Sequence, residues 1–197
     1  MSIRLSVVIP VYRSQAMLPE LHRRLVAALE TIGDPFEIIL VEDCGGDDSW
    51  SVIESLSAAD PRVRGLRLAR NYGQHNALLC GIRAARGELI VTIDDDLQNP
   101  PEEIHRLLAK LDEGCDVVYG SPQAETHGFL RDQASRITKL ALKSAMGVES
   151  ASKVSAFRVF RTRLREAFAA YRSPSVNIDV LLTWGTTRFS SIQVRQD

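Results

Sequence analysis

Leu89-Ile90-Val91-Thr92-Ile93-Asp94-Asp95-Asp96-Leu97-Gln98-Asn99-Pro100-Pro101 decides how this chain folds. The apolar run Leu89–Ile93 follows a break at Gly87 and reads as a buried strand. Three adjacent carboxylates at its end repel one another, and a cation would remove that repulsion. In an extended chain, side chains two apart share a side. Asp94 and Asp96 are therefore expected on one side and Asp95 on the other. Two carboxylates on one side suit Mg²⁺ or Mn²⁺, which fills its remaining positions with water and substrate phosphates. Asn99 reads as a helix N-cap with Pro100 at N1 and Glu102 at N3. That places the acidic cluster on a strand-to-helix loop, where open α/β sheets bind ligands.

Before this stretch, strand-like and helix-like segments alternate. Ile3–Ile9 is a strand that Pro10 should end, and Met17–Ile32 has helical spacing with Gly33 as its stop. Strand Phe36–Val41 precedes helix Ser49–Ala59, which Asp47, Asp48 or Ser49 caps. Strand Val63–Leu68 precedes helix Gly73–Ala85. After the acidic motif, helix Pro101–Leu111 leads to strand Asp116–Tyr119. This β-α-β-α order predicts an α/β fold with a mostly parallel sheet and helices on both faces.

The pattern changes after Gly120. Thr126–Met146 reads as a long basic helix, followed by strand Val154–Phe160, helices Arg163–Tyr171 and Val176–Trp184, and strand Phe189–Val194. Residues 1–120 form the expected donor half. Residues 121–197 form the acceptor-side half of the same domain, which is expected to continue past Asp197.

Composition narrows the field. The chain has 197 residues, 45% apolar and 25% charged, with a net charge of −1. These are ordinary values for a globular protein and give no global attraction to nucleic acid. No segment has signal-peptide zones or bilayer-spanning length. The cysteines Cys44, Cys80 and Cys115 are odd in number and lack C-x-x-C spacing, which fits reduced thiols in the cytoplasm. A homo-oligomer stays open as a partner.

The unusual residues fall after successive strands: Pro10-Val11-Tyr12, Glu42-Asp43-Cys44-Gly45-Gly46, Arg70 to Asn76, and Asp94 to Gln98. In a doubly wound sheet these loops line one crevice. The mix suits a nucleotide diphosphate. Tyr12 offers a face to a base, Glu42 or Asp43 accepts hydrogen bonds from base or ribose, and Arg70 pairs with phosphate. Asp94 and Asp95 also border the expected donor site.

These segments carry a resemblance. Ser6 to Tyr12, Ile39 to Asp43, Arg70 to Asn76 and Asp94 to Glu103 resemble the inverting glycosyltransferases of the GT-A fold. They are most similar to the polyprenyl-phosphate group, whose Ser-Gly-Phe-Arg stretch Ser155-Ala156-Phe157-Arg158 resembles. The resemblance assigns Pro10, Tyr12 and Glu42 to the nucleotide. It assigns Asp94, Asp96 and Gln98 to the metal and donor diphosphate, and Ser155 and Arg158 to the acceptor region. It implies a nucleotide-sugar donor, with a UDP-sugar favoured, a polyprenyl phosphate acceptor, and work at the cytoplasmic membrane surface. The chain departs from the pattern at Arg13-Ser14, where Asn-Glu is usual, at Glu42, where Asp is usual, and at Cys44-Gly45-Gly46, which replaces Gly-Ser-Thr.

A phosphate acceptor is already ionised at neutral pH, so the reaction needs no strong general base. Asp179 is the best candidate if one is used, beside Asp94 and Asp96 as the catalytic carboxylates. Arg131 and Arg136, with Lys139 and Lys143 on the same basic segment, are candidates for a lipid phosphate or an anionic bilayer. Other chemistries fit less well. An aspartate-nucleophile phosphatase wants a hydroxyl where Leu97-Gln98 stands, and no G-x-G-x-x-G follows the first strand. A soluble-acceptor glycosyltransferase and a sugar-nucleotide-binding module without turnover are the alternatives.

Overall fold

The computed structural model describes residues 2–122 and 154–196. Seven strands form one sheet: β1 (Leu5–Val11), β2 (Phe36–Glu42), β3 (Val63–Arg67), β4 (Leu89–Thr92), β5 (Val117–Pro122), β6 (Arg158–Arg161) and β7 (Phe189–Val194). Their order across the sheet is β3-β2-β1-β4-β6-β5-β7. β3, β2, β1 and β4 run parallel, as the alternation of elements predicts. β6 is antiparallel to β4 and β5, and β7 is parallel to β5. The segments after residue 154 therefore complete the same sheet.

Side-chain alternation sorts the core into two faces. Val7, Ile9 and Val11 face the apolar stripes of α1 (Leu18–Ile32), α2 (Ser49–Ala59) and α4 (Ile104–Asp112). Val8, Ile39 and Val41 face α3 (Gln74–Ala84), a 3₁₀ segment (Thr162–Phe168) and α5 (Ile178–Thr183). On α1 the buried residues Leu18, Leu21, Leu25 and Leu29 recur at helical spacing, and Gly33 closes the helix at φ 83°. α3 lies close against the sheet at Gly81, where a Cβ would sit 2.4 Å from Val8 Cγ1.

Three local expectations change. Pro10 does not end β1. β4 pairs with β1 only through Val8, so the proline lies beyond the point where an amide donor is needed on that side. Asn99 does not cap the next helix. Pro101 disfavours helical backbone in Pro100, which stays extended at ψ 129°, and the chain enters a 3₁₀ turn at Pro101–Glu103 before α4. The expected helix Arg163–Tyr171 is the 3₁₀ segment Thr162–Phe168. The basic segment Thr126–Met146 lies outside the described residues.

Candidate functional site

β1 runs between β2 and β4, and connections leave it in opposite directions, so the crevice beyond the β1 and β4 ends is the topological switch point of the sheet. Among the described residues, three non-glycine residues have positive φ: Arg13 at 57°, Cys44 at 55° and Leu97 at 61°. Each follows the C-terminal end of a parallel strand bordering this crevice. Left-handed backbone is costly for such residues and persists only where surrounding contacts over-determine it.

Carboxylates join a hydroxyl and a backbone carbonyl in fixing these loops. Asp95 accepts from the Tyr12 amide at 3.1 Å and from the Ser14 hydroxyl, which ties the β4 loop to the β1 loop. Ser14 N donates to Ser49 Oγ at 3.0 Å, and Arg13 Nε donates to Gly45 O at 2.9 Å. Arg13 and Gly45, both departures from the pattern that the motifs resemble, thus bond to each other across the first and second loops. Glu42 is 2% exposed; it accepts from Gly45 N at 2.7 Å and pairs with Arg67 at 3.2 Å. Asp43 is 3% exposed and accepts from the Tyr72 and Gly73 amides at 2.7 and 2.8 Å. The positive φ of Gly73, 88°, lets its amide turn to Asp43 at the start of α3. Both acids hold the loops that form the rim.

More exposed groups stand on the same rim. Tyr12 and Tyr72 are exposed, with the Arg13 guanidinium 5.1 Å from the Tyr12 ring centre and the Arg70 guanidinium 4.6 Å from that of Tyr72. Pro10, two residues before Tyr12, is buried. Asp96 and Gln98 are exposed, and Asp94 is half-buried.

The acidic motif is a turn, not an extended strand end. The alternation expected for Asp94 and Asp96 does not apply, because the ladder stops at Thr92 and Leu97 turns left-handed. Within the turn the three acids take different partners. Asp95 is committed to the first loop. Asp94 is pushed up to about 6, first by burial and then by the charge of Asp96. Gln74 Nε2 donates to Asp94 Oδ1 at 2.6 Å, and Asp96 Oδ1 accepts from Gln98 N at 3.0 Å. Among the described residues no three His, Cys, Asp or Glu side chains converge as a metal cage. Two hard oxygen donors in mutual repulsion suit a cation that takes the rest of its shell from water and phosphate.

Arg158 and Asp179 lie under this surface. Arg158 is 1% exposed and its Nη1 donates to Asp179 Oδ1, while its Nε donates to Thr92 Oγ1 at 3.0 Å. Tyr119 OH donates to the same Asp179 oxygen at 3.0 Å. Ser155 Oγ accepts from Phe157 N at 3.1 Å in a local turn. Arg158 is thus held inside the domain instead of lining an acceptor surface. Arg131 and Arg136 lie outside the described residues. A groove of about 390 Å³, lined by Arg4, Glu88, Arg161 and Arg163 among others, opens at the other end of the strands.

Residues 6–172 match the description Glycosyl transferase family 2. The chain belongs to that family. It is 42% identical over 180 residues to undecaprenyl-phosphate 4-deoxy-4-formamido-L-arabinose transferase of Enterobacter sp. (strain 638), covering 90% of this chain and 55% of that protein. The namesake of Salmonella enteritidis PT4 is 38% identical over 192 residues, which are 97% of this chain and 59% of the relative. The chain therefore spans a little over half the length of these relatives. In fold it is similar to a mannosyltransferase of Pyrobaculum calidifontis solved with GDP-Man and Mn²⁺: TM-score 0.69, 16% identity, 100% of this chain and 56% of that one. It is also similar to glucosyl-3-phosphoglycerate synthase of Mycobacterium tuberculosis solved with Mn²⁺, UDP and glucosyl-3-phosphoglycerate: TM-score 0.69, 19% identity, 98% of this chain and 70% of that one. These likenesses bear out the GT-A-type α/β fold expected from the motifs. No described helix is long and apolar enough to cross a membrane.

The structure brings the acidic motif, Tyr12 and the rim loops together beyond the ends of the parallel strands. Sequence reasoning had grouped them on one crevice. It missed Gln74, which touches Asp94, and the Thr92–Arg158–Asp179–Tyr119 cluster beneath. One signal was available. Arg158 interrupts the apolar run Phe157 to Phe160, and a charge in such a run must find a buried partner.

Proposed function

We propose that this chain is the catalytic region of a metal-dependent inverting glycosyltransferase. It moves a sugar from a nucleotide-diphosphate sugar, a UDP-sugar by preference, to a polyprenyl phosphate such as undecaprenyl phosphate at the cytoplasmic membrane surface. The observation that carries this reading is the Asp94–Asp96 pair beside the exposed Tyr12 at the switch point of a family 2 domain. Support comes from relatives near 40% identity named for undecaprenyl phosphate and from fold neighbours that hold Mn²⁺ with GDP-Man or with UDP.

We assign the residue roles as follows, with the geometry as support. The Tyr12 ring is a stacking face for the base. Glu42 and Asp43 set the loops on either side of it, and each oxygen retains a second lone pair for the nucleoside. Arg70 is the exposed cation for phosphate. Asp94, Asp96 and Gln98 would hold Mg²⁺ or Mn²⁺. When bound, that ion offsets the charge growing on the departing diphosphate. The acceptor phosphate, with a second pKa of about 6, supplies its own negative oxygen at neutral pH. We therefore assign Asp179 to holding Arg158, since its carboxylate is already the acceptor for two buried donors. Arg131, Arg136 and Ser155 are assigned to the acceptor side.

Calorimetry with UDP, GDP and UDP-sugars, with and without Mn²⁺, tests the donor half. UDP is expected to bind more tightly with Mn²⁺, and loss of that metal effect in Asp96→Ala supports the assignment. A transfer assay in detergent tests the acceptor, comparing undecaprenyl phosphate with water-soluble sugars. Turnover restricted to a soluble acceptor would select the second reading. That reading is favoured by the likeness to glucosyl-3-phosphoglycerate synthase, of whose chain 70% is covered.

A further inference from the structure

A guanidinium sits in the floor of the crevice where solvent does not reach it. Arg158 projects from β6 between the buried Phe157, Val159 and Phe160. Removing such a charge from water is costly unless every donor is met. Asp179, 6% exposed, supplies the opposite charge, and Thr92 Oγ1 and Ala156 O accept from Nε. Tyr119 braces the pair from the other side. Its hydroxyl bonds Asp179 at 3.0 Å, and its ring centre is 5.8 Å from the guanidinium carbon.

Buried ion pairs are weak stabilisers. Apolar residues of similar volume often serve stability as well or better. The location of this pair points to geometry instead. Thr92 ends β4 two residues before Asp94, and Arg158 is its ladder partner on β6. Asp179 stands in the first turn of α5. The amide of the preceding Ile178 donates to His75 Nδ1 of α3 at 3.3 Å. Gln74, next to His75, holds Asp94 Oδ1 at 2.6 Å. A closed circuit thus runs from Asp94 through Gln74, His75, Ile178, Asp179, Arg158 and Thr92 back to the acidic turn. It joins α3, α5, β6 and β4 around one carboxylate.

We propose that Arg158, clamped by Asp179, Tyr119 and Thr92, is a positioning residue that fixes the Asp94 carboxylate for a divalent cation and is not itself a ligand of the acceptor. This rests on the reading of Asp94 and Asp96 as the cation site. The planar fork matters as much as the charge: Nε reaches β4 while Nη1 reaches α5. A lysine ammonium is a point charge and cannot span both. Groups that orient metal ligands in this way typically change metal affinity 10- to 100-fold when replaced.

The test is Mn²⁺ binding to the full chain, read from the free-ion EPR signal with Mn²⁺ alone. Metal-free UDP affinity and melting temperature are measured beside it. Arg158→Lys is expected to weaken Mn²⁺ binding by about 10-fold or more, with metal-free UDP affinity unchanged. The pair Arg158→Met with Asp179→Leu removes both charges and is expected to fold as well as the parent, yet to share the Mn²⁺ defect. Tyr119→Phe, which loses one hydroxyl, should show a smaller defect in the same direction. If Asp96→Ala abolishes Mn²⁺ binding while the Arg158 variants bind it like the parent, the positioning role is refuted and the cation site stands. If the parent itself binds no Mn²⁺, the cation site fails and the positioning role falls with it. If the double variant and Tyr119→Phe both fail to fold, the cluster is purely structural and the proposal is overturned.

Discussion

Replacing Asp94 by asparagine should make the metal-free protein more stable at pH 8. Burial and the neighbouring Asp96 raise this carboxyl to about 6, against an ordinary value of about 3.9. Two units correspond to about 3 kcal/mol of strain on the ionised form. Asp94 keeps some contact with solvent, which lowers the expected gain to roughly 1–2 kcal/mol. The amide oxygen of asparagine can still accept from Gln74, so the 2.6 Å hydrogen bond survives. The direction with pH follows from proton binding. The folded protein holds the Asp94 proton more tightly than the unfolded chain does, so parent stability declines as pH rises from about 4 to about 6 and then levels off. The advantage of the variant should therefore be near zero at pH 4, grow across that window and hold constant above it. Urea denaturation of parent and variant in chelator at pH 4 and pH 8 measures this. Mn²⁺ should raise the melting temperature of the parent at pH 8 and leave the variant nearly unmoved. A variant equally or less stable than the parent at pH 8 in chelator would show that the acidic turn is not under electrostatic strain.

Three further outcomes are expected. Gly81→Ala should lose about 1–3 kcal/mol, because the new methyl would lie 2.4 Å from Val8 Cγ1 and overpacking outweighs a helix-propensity gain of about 1 kcal/mol; thermal unfolding reads the sign. Asp60, held down to about 2 chiefly by Arg62, should contribute about 1 kcal/mol at neutral pH that disappears as pH falls from about 4 through 2. Asp60→Asn should accordingly be less stable than the parent at pH 7, with the gap closing toward pH 2 in urea titrations. Cys44→Gly should raise the urea midpoint by up to about 1 kcal/mol of stability, since the exposed Cys44 holds φ 55° and glycine relieves that conformation.

Local chemistry alone determined a large part of this protein. Apolar runs of strand length, helical spacing such as that of Leu18, Leu21, Leu25 and Leu29, and stops such as Gly33 depend on near neighbours. They therefore sufficed for the order of elements and for a parallel sheet. The acidic run Asp94 to Asp96 marked the crevice, because adjacent charges at a strand end have few structural uses. Family resemblance pointed to the glycosyltransferases through motifs that are themselves contiguous.

What the tertiary structure decided involves partners far apart in the chain. Pro10 fits inside β1 because β4 has already left its side, a fact of register between strands some eighty residues apart. Glu42 and Asp43 carry the residue types of ligand-binding acids, but that Glu42 pairs with Arg67 and Asp43 receives the Tyr72 and Gly73 amides depends on partners that only the fold brings near. β6 enters antiparallel between β4 and β5, and with it Arg158 arrives beneath Asp94 to meet Asp179 and Tyr119. A buried charge announces that a partner must exist, because low-dielectric surroundings penalise it otherwise. Which carboxylate answers, and what the pair then holds in place, depends on how strands and helices meet in three dimensions.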